Sequence, residues 1–399
     1  MSDPIAAGPA SQTAASSLDP ILELLQTAER SAAENGFSNP RLQEAFRAQV
    51  LMIVSAAYVE VFGTDVESPD WVPYIPYYLA RAAPNPDTVY GFAPIDPRGT
   101  YRIHGEKGTE TIAAITFRKG GAHLGQRCTA RVGEIDFQSV EADSAGRFSF
   151  VLSAQRPRAH AGQWFELHPE TTCLMLRRVT KDATQRDGVC GIERLDRPRA
   201  RLALTAEQLR ERMMNVARYT ASQNEFLLGY LKRLRQLGAQ ERFVLDDQSG
   251  HGGLIVQSHY FHMFSIETDE ALILESNLPK LCRYWSIQVM NPFVSTIDYV
   301  LHQSSLNDHQ AQVDADGKVR MVLALSDPGV ANWLDTGGWT EGGVQWRWND
   351  VDSSPHPSVT RIKLRDLWRH LPAQTERMDP AARAASLSAR AAYYQCRRR

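Results

Sequence analysis

ADSAGRFSFVLSA (residues 142–154) and VDADGKVRMVLAL (residues 313–325) follow one pattern. Gly146 stands where Gly317 does, Arg147 where Lys318 does, and Val151-Leu152 where Val322-Leu323 do. Trp164 follows the first stretch at nearly the interval at which Trp333 follows the second. Upstream, Asp87 precedes Tyr101 by the same interval as Glu270 precedes Tyr284. Hairpins with an Asp and a Gly before an apolar run also recur by coincidence. Taken together, the matches point to two related β-sandwich lobes.

The chain around these stretches fits that reading. Short β-like runs such as TIAAITF, RFSFVLSA and TTCLMLRRV dominate between Thr100 and Val179. They return between Gly253 and Leu364 as GLIVQSHYFHMFSI, YWSIQVM and VQWRW. Helical spacing governs two other regions, LDPILELLQTAERSAAEN with RLQEAFRAQVLMIVSAAYVEVFG, and Leu204 to Gly238. In the latter, Thr205 and Gln208 have capping-box spacing. Strands do not alternate with helices one by one, which argues against a doubly wound parallel sheet. The expected fold is mainly β with helical additions: two packed, jelly-roll-like antiparallel β-sandwich lobes joined by helices. The expected divisions are a disordered lead (1–17), N-terminal helices (18–66), a first β lobe (67–200), linking helices (201–240), a second β lobe (241–370) and a helical tail (371–399).

Composition narrows the function classes. The 399 residues are 43% hydrophobic and 23% charged, with a net charge of −2. No global field favours nucleic acid or an anionic membrane surface. No uninterrupted apolar run reaches the length of a membrane span. Five scattered cysteines, without a CxxC, suit a reduced compartment, so a cytoplasmic location is expected. Neither GxGxxG, Walker A, HExxH nor GxSxG is present. No cofactor and no metal are expected.

Four polar clusters remain. NPDTVYGF (85–92) offers Asn85, Asp87, Thr88 and Tyr90 to a ligand, or forms a turn that caps its own backbone. In YWSIQVM (284–290), Trp285, Ile287 and Val289 share the core face, while Tyr284 and Gln288 share the other. HQSSLNDHQAQVDADG (302–317) contributes Asn307 and His309, an acid or base near neutral pH. DPGVANWLDTGG (327–338) holds Asp327, Asn332, Trp333 and Asp335, a stacking face beside hydrogen-bonding groups. The same groups would equally tie down a Gly-rich loop. Trp346 and Trp348 share a strand face that reads as core, and His259 and His262 fall on opposite faces.

YWSIQVMNPF, SLNDHQAQVDADGKVRMVLAL and DPGVANWLDTGG resemble the bacterial family of domain of unknown function 1214, over roughly Asp269 to Leu364. NPDTVYGFAPIDPRGTYRI is similar to a segment of the companion domain of unknown function 1254. The resemblance implies two packed β-sandwich lobes of jelly-roll type. It marks Asn85, Asp87, Thr88, Asn307, Asp327, Asn332, Trp333 and Asp335 as shared motif positions, with no catalytic role to carry over.

The resulting expectation is an enzyme acting on a small hydroxylated or ring-containing metabolite by hydrolysis or elimination. Asp335, Asp87 and His309 are the catalytic candidates. Asn85, Thr88, Tyr90, Tyr284, Gln288, Asn307, Asp327, Asn332 and Trp333 would bind the ligand. The competing reading is a non-catalytic β-sandwich that binds carbohydrate or another small ligand. A third is an assembly protein whose helical ends form a homo-oligomer.

Overall fold

The computed structural model describes residues 19–34, 39–197, 203–246, 253–254 and 256–397. The expected lead at 1–17 lies outside the described residues. The first lobe contains β1 (Val72–Pro73), β2 (Thr88–Pro94), β3 (Thr100–Glu106), β4 (Ile112–Gly121), β5 (Gln126–Asp136), β6 (Arg147–Ser153), β7 (Trp164–Glu166), β8 (Cys173–Val179) and β9 (Val189–Arg194). The second contains β10 (Val244–Asp246), β11 (Gln257–Ser265), β12 (Glu270–Asn277), β13 (Cys282–Met290), β14 (Ser305–Asn307), β15 (Lys318–Ala324), β16 (Trp333–Asp335), β17 (Glu341–Val351) and β18 (Ser358–Lys363). The first lobe has sheets ordered β1-β2-β8-β4-β5 and β7-β6-β3-β9; the second has β10-β11-β17-β13-β14 and β16-β15-β12-β18. Each strand of the first lobe thus has a counterpart nine strands later, and the two lobes share one topology.

Pairing is antiparallel except between β6 and β7 and between β15 and β16, which run parallel. There Val151 lies opposite Trp164 and Val322 opposite Trp333, so the downstream sequence match is a structural one. The upstream match is not. Tyr101 on β3 pairs with Leu152, and the equivalent Leu323 pairs with Leu272 on β12. Tyr284 instead lies on β13, the counterpart of β4. Equal spacing in sequence there reflected no equal place in the fold.

Period-two alternation builds both cores. Trp346 and Trp348 point into the second sandwich beside Trp285, Ile287 and Val289. Ile115, Phe150 and Leu174 do the same in the first. Each such side chain contributes roughly 1.5–3 kcal/mol by leaving water. The opposite faces of the two five-stranded sheets are also buried: Tyr284, Gln288 and Met290 are sealed as completely as their apolar neighbours.

Helices cover those second faces. α1 (Asp19–Glu34) and α2 (Pro40–Phe62) precede the first lobe, and α3 (Ala206–Gln236) joins the lobes. Asn39 caps α2 with Pro40 at its first turn. Thr205 and Gln208 form a reciprocal capping box on α3. By length and composition α2 would suffice to cross a membrane. Here its Phe46 and Val50 pack with Leu227, Leu231, Phe261 and Phe293.

After the short α4 (Leu367–His370), α5 (Pro380–Cys396) straps the two lobes. Arg383 pairs with Asp327 at 2.9 Å and Arg390 Nε donates to the Tyr299 carbonyl at 2.6 Å, both in the second lobe. At the far end Arg397 pairs with Asp187 of the first lobe at 3.1 Å.

Candidate functional site between the lobes

The structure brings Asn85, Asp87, Tyr284 and Asn307 together where the lobes meet. One Asp87 carboxylate oxygen accepts from the Tyr284 hydroxyl at 2.7 Å and from Asn307 Nδ2 at 2.9 Å. The other accepts from the Tyr394 hydroxyl of α5 at 2.8 Å. Asn85 Nδ2 reaches the Tyr284 phenol oxygen at 2.8 Å, and the Asn85 side-chain oxygen accepts the Asp87 amide at 3.1 Å. All four predicted residues are buried. Every oxygen of this carboxylate is engaged by protein, so the cluster is a polar lock between lobes and presents no free acid or base.

The 327–338 loop is used differently from the sequence expectation. Asn332 Nδ2 donates to the carbonyls of Gln312 and Arg320 at 2.7 and 2.9 Å, and its oxygen accepts the Gln312 amide at 2.8 Å. Trp333 is core: its Nε1 donates to Ala324 O at 3.0 Å and its ring packs with Val322 and Leu367. Asp327 holds Arg383 and caps its own turn at Gly329. Asp335 meets His302 Nδ1 at 2.7 Å and the Gly337 amide at 2.8 Å, and shares no partner with Asp87. His309 is exposed, 3.8 Å from Asp182. Ligand roles for Asn332, Trp333 and Asp327 therefore give way to structural ones, because their polar atoms are spent on the loop and α5. Asp87, Asp335 and His309 do not form one catalytic set. Asn332→Ala is expected to cost about 2 kcal/mol, since it strands buried backbone groups. Urea unfolding checks this, and a loss under 0.5 kcal/mol on the order of a surface change would refute it.

A cavity of about 180 Å³ lies between the second faces of the two five-stranded sheets. The first lobe contributes Arg118 from β4, Arg127 and Cys128 from β5, and Arg177 from β8. The second contributes His259 from β11, and Gln345 and Arg347 from β17. Arg81, on the loop between β1 and β2, completes five arginines, and no Asp or Glu is among the described lining residues. Tyr74, Met175, Phe226 and Tyr230 supply aromatic and apolar wall.

Arg177 and Arg347 occupy equivalent places on the central strands of their sheets. Arg177 lies opposite Tyr90 on β2, as Arg347 lies opposite His259 on β11. Arg347 is held by Gln288 Oε1 at 2.5 Å and the Ala83 carbonyl at 2.6 Å, both uncharged. Predicted Gln288 thus supports the cavity from behind. Burial lowers the Arg347 guanidinium below its usual range and brings Arg177 down to about 10. Burial, with Arg347 and Arg177 nearby, holds His259 well below the usual histidine range, so its ring is neutral near pH 7. His259 Nδ1 and Gln345 Oε1 have no hydrogen-bond partner among the described residues.

The cavity wall is also where the backbone is strained. Ile75, Ala82, Ala83 and Val294 adopt φ of 44°, 61°, 53° and 59°, and all four line it. For the β-branched pair this left-handed region is unusual, costing on the order of 1–3 kcal/mol each. The Ala83 amide bonds the Val294 carbonyl at 2.8 Å, which pins the two loops to each other. A second cavity of about 280 Å³ shares Ile75 and Tyr90 with the first and is lined by predicted Asn85 and Thr88 beside Trp71, Tyr77 and Tyr299.

Sequence reasoning missed Arg118, Arg177, His259, Gln345 and Arg347. Their signal was present: each interrupts an otherwise apolar strand, in ITFRKGG, LMLRRV, SHYFHMF and VQWRW.

One solved structure shares the fold closely. An uncharacterized protein from Burkholderia cenocepacia has 25% identity and a TM-score of 0.81, with 88% of this chain and 97% of that chain covered. The VPA0106 protein from Vibrio parahaemolyticus has 10% identity and a TM-score of 0.45, with 78% and 97% covered. No curated protein matches the chain. Residues 266–346, from just before β12 into β17, match the family model described as "Protein of unknown function (DUF1214)".

Proposed function

We propose that the protein binds a small organic anion, an oxyanion group on a ring or apolar body, in the cavity between its lobes. The observation that carries this is five arginines on the wall of one cavity, with no Asp or Glu among the described lining residues; Glu60 pairs with Arg81 from behind that wall. Several guanidinium groups gathered in one buried space are eased by an anion placed among them, and guanidinium groups match oxyanions in geometry. The aromatic wall suits the body of such a ligand. The ring-containing metabolite expected from the sequence is retained, but its contacts move from the 327–338 loop to the strand arginines.

Calorimetry with benzoate, and with neutral benzyl alcohol as control, tests the reading. Benzoate is expected to bind and benzyl alcohol not to. Arg347→Met should weaken benzoate about tenfold to a hundredfold, the worth of one charged hydrogen-bonding group. Equal binding of the neutral compound, or an indifferent Arg347→Met, would sink it. An acid–base enzyme acting on the same ligand is the second reading, favoured by the neutral, unpartnered His259. It predicts that His259→Gln keeps binding and loses turnover; a variant that turns over normally excludes it.

A further inference from the structure

Cys128 is the cavity's nucleophilic atom, and its surroundings differ from those of the other thiols. It lies on β5, and Cys173 lies on β8, with β4 between them in the sheet. At this point β4 carries Gly120 and Gly121, which have no side chains to fill the space above the strand. A Cβ added at Gly121 would stand 3.6 Å from Cys173 Sγ. The two sulfurs stand 3.7 Å apart across the strand. Cys173 is sealed behind, with its Sγ 3.3 Å from the Gly120 carbonyl, while Cys128 faces the cavity. The unpartnered His259 Nδ1 and Gln345 Oε1, both on buried side chains, line the same space and mark it as ligand-accepting.

We propose that Cys128 is a thiolate nucleophile that attacks carbon in a small organic acid bearing a leaving group, while the cavity arginines hold the acid's carboxylate. This deepens the anion-binding reading and rests on it for the substrate class. In the step a sulfur–carbon bond forms, the carbon–leaving group bond breaks, and the leaving group departs with its electron pair as an anion. No oxidant or reductant is needed. The thiolate is favoured first by the Cys173 thiol hydrogen bond and then, against burial, by the positive charges of Arg118, Arg81 and Arg127. Together they hold Cys128 below the usual thiol range. The partner Cys173 is driven the other way. Burial likewise pushes Cys190 and Cys282 up, to about 12 and about 11.

The test is alkylation of the full chain by iodoacetate and by iodoacetamide, with peptide mapping at Cys128 and exposed Cys396 as internal reference. Iodoacetate should modify Cys128 about tenfold or more faster than Cys396, because the arginines concentrate the anion. At Cys128 it should outpace neutral iodoacetamide, and excess benzoate should suppress it. The iodoacetamide rate at Cys128 should level off at a lower pH than the rate at Cys396, because the Cys173 hydrogen bond and the nearby arginines favour its thiolate. Arg118→Met should remove the preference for the charged reagent while leaving Cys396 unchanged. If Cys128 resists both reagents in folded protein, the nucleophile is overturned even where benzoate binds. If iodoacetamide labels it rapidly, with no iodoacetate preference and no benzoate protection, the thiolate stands and the anionic substrate class falls with the binding reading.

Discussion

Asp87→Ala is expected to destabilise the protein by about 4 kcal/mol in chemical denaturation. The carboxylate collects three side-chain donors from three separate elements: Tyr284 on β13, Asn307 on β14 and Tyr394 on α5. Removing it leaves those donors buried, at roughly 1–3 kcal/mol each. The sum is reduced because Tyr284 keeps Asn85 and Asn307 keeps the Lys181 carbonyl. Tyr394→Phe deletes one of the three bonds and should cost only about 1 kcal/mol. A loss below that in Asp87→Ala would show that the lobes are held by apolar packing alone.

Glu60→Gln is expected to cost about 3 kcal/mol or more without changing side-chain volume. Glu60 on α2 and Arg81 on the strained loop are both 2% exposed and 2.6 Å apart. Arg81 also lies over the rings of Tyr74 and Tyr219, at 5.4 and 5.6 Å. These contacts place the cation but do not neutralise it. Breaking a buried pair from one side leaves an uncompensated charge, which is dearer than the pair itself. The variant carries a second expectation, because Arg81 lines the cavity between the lobes, where an anion is proposed to bind. Saturating benzoate should recover part of the lost stability in Glu60→Gln, beyond what it adds to the wild type. Unfolding curves with and without benzoate read both effects. Equal gains in the two proteins would place Arg81 outside the site.

The sequence carried the two-lobe architecture because alternation and turn residues are local. Trp346 and Trp348 name their face by parity, and the Gly146 and Gly317 hairpins name the repeat. The polar residues were harder to read. Asn85, Asp87, Tyr284 and Asn307 were visible as polar groups needing partners, and the partners proved to be one another. Trp333 looked like a ligand wall because it stands in a Gly-rich loop, yet it opens a short parallel strand, packs with Leu367 of α4 and lies under Arg383 of α5. Arg347 was hidden by its neighbours. Between Trp346 and Trp348 it had to face away from the sandwich core, a direction that would mean solvent on an isolated lobe. Only the other lobe and α3, packed over that face, turn it into a cavity wall, and no local pattern encodes that packing.

The repeated topology also limits what the cavity could be if it were made another way. Two identical lobes meeting face to face would have to line it with matching rings, two tyrosines or two histidines, beside their matching arginines. Carried in one chain, the halves are released from that symmetry. The ring beside Arg177 is Tyr90, a phenol, and the ring beside Arg347 is His259, a neutral imidazole. The cavity therefore has unlike ends, and the proposed ligand, if its own ends differ, would be held in one preferred orientation.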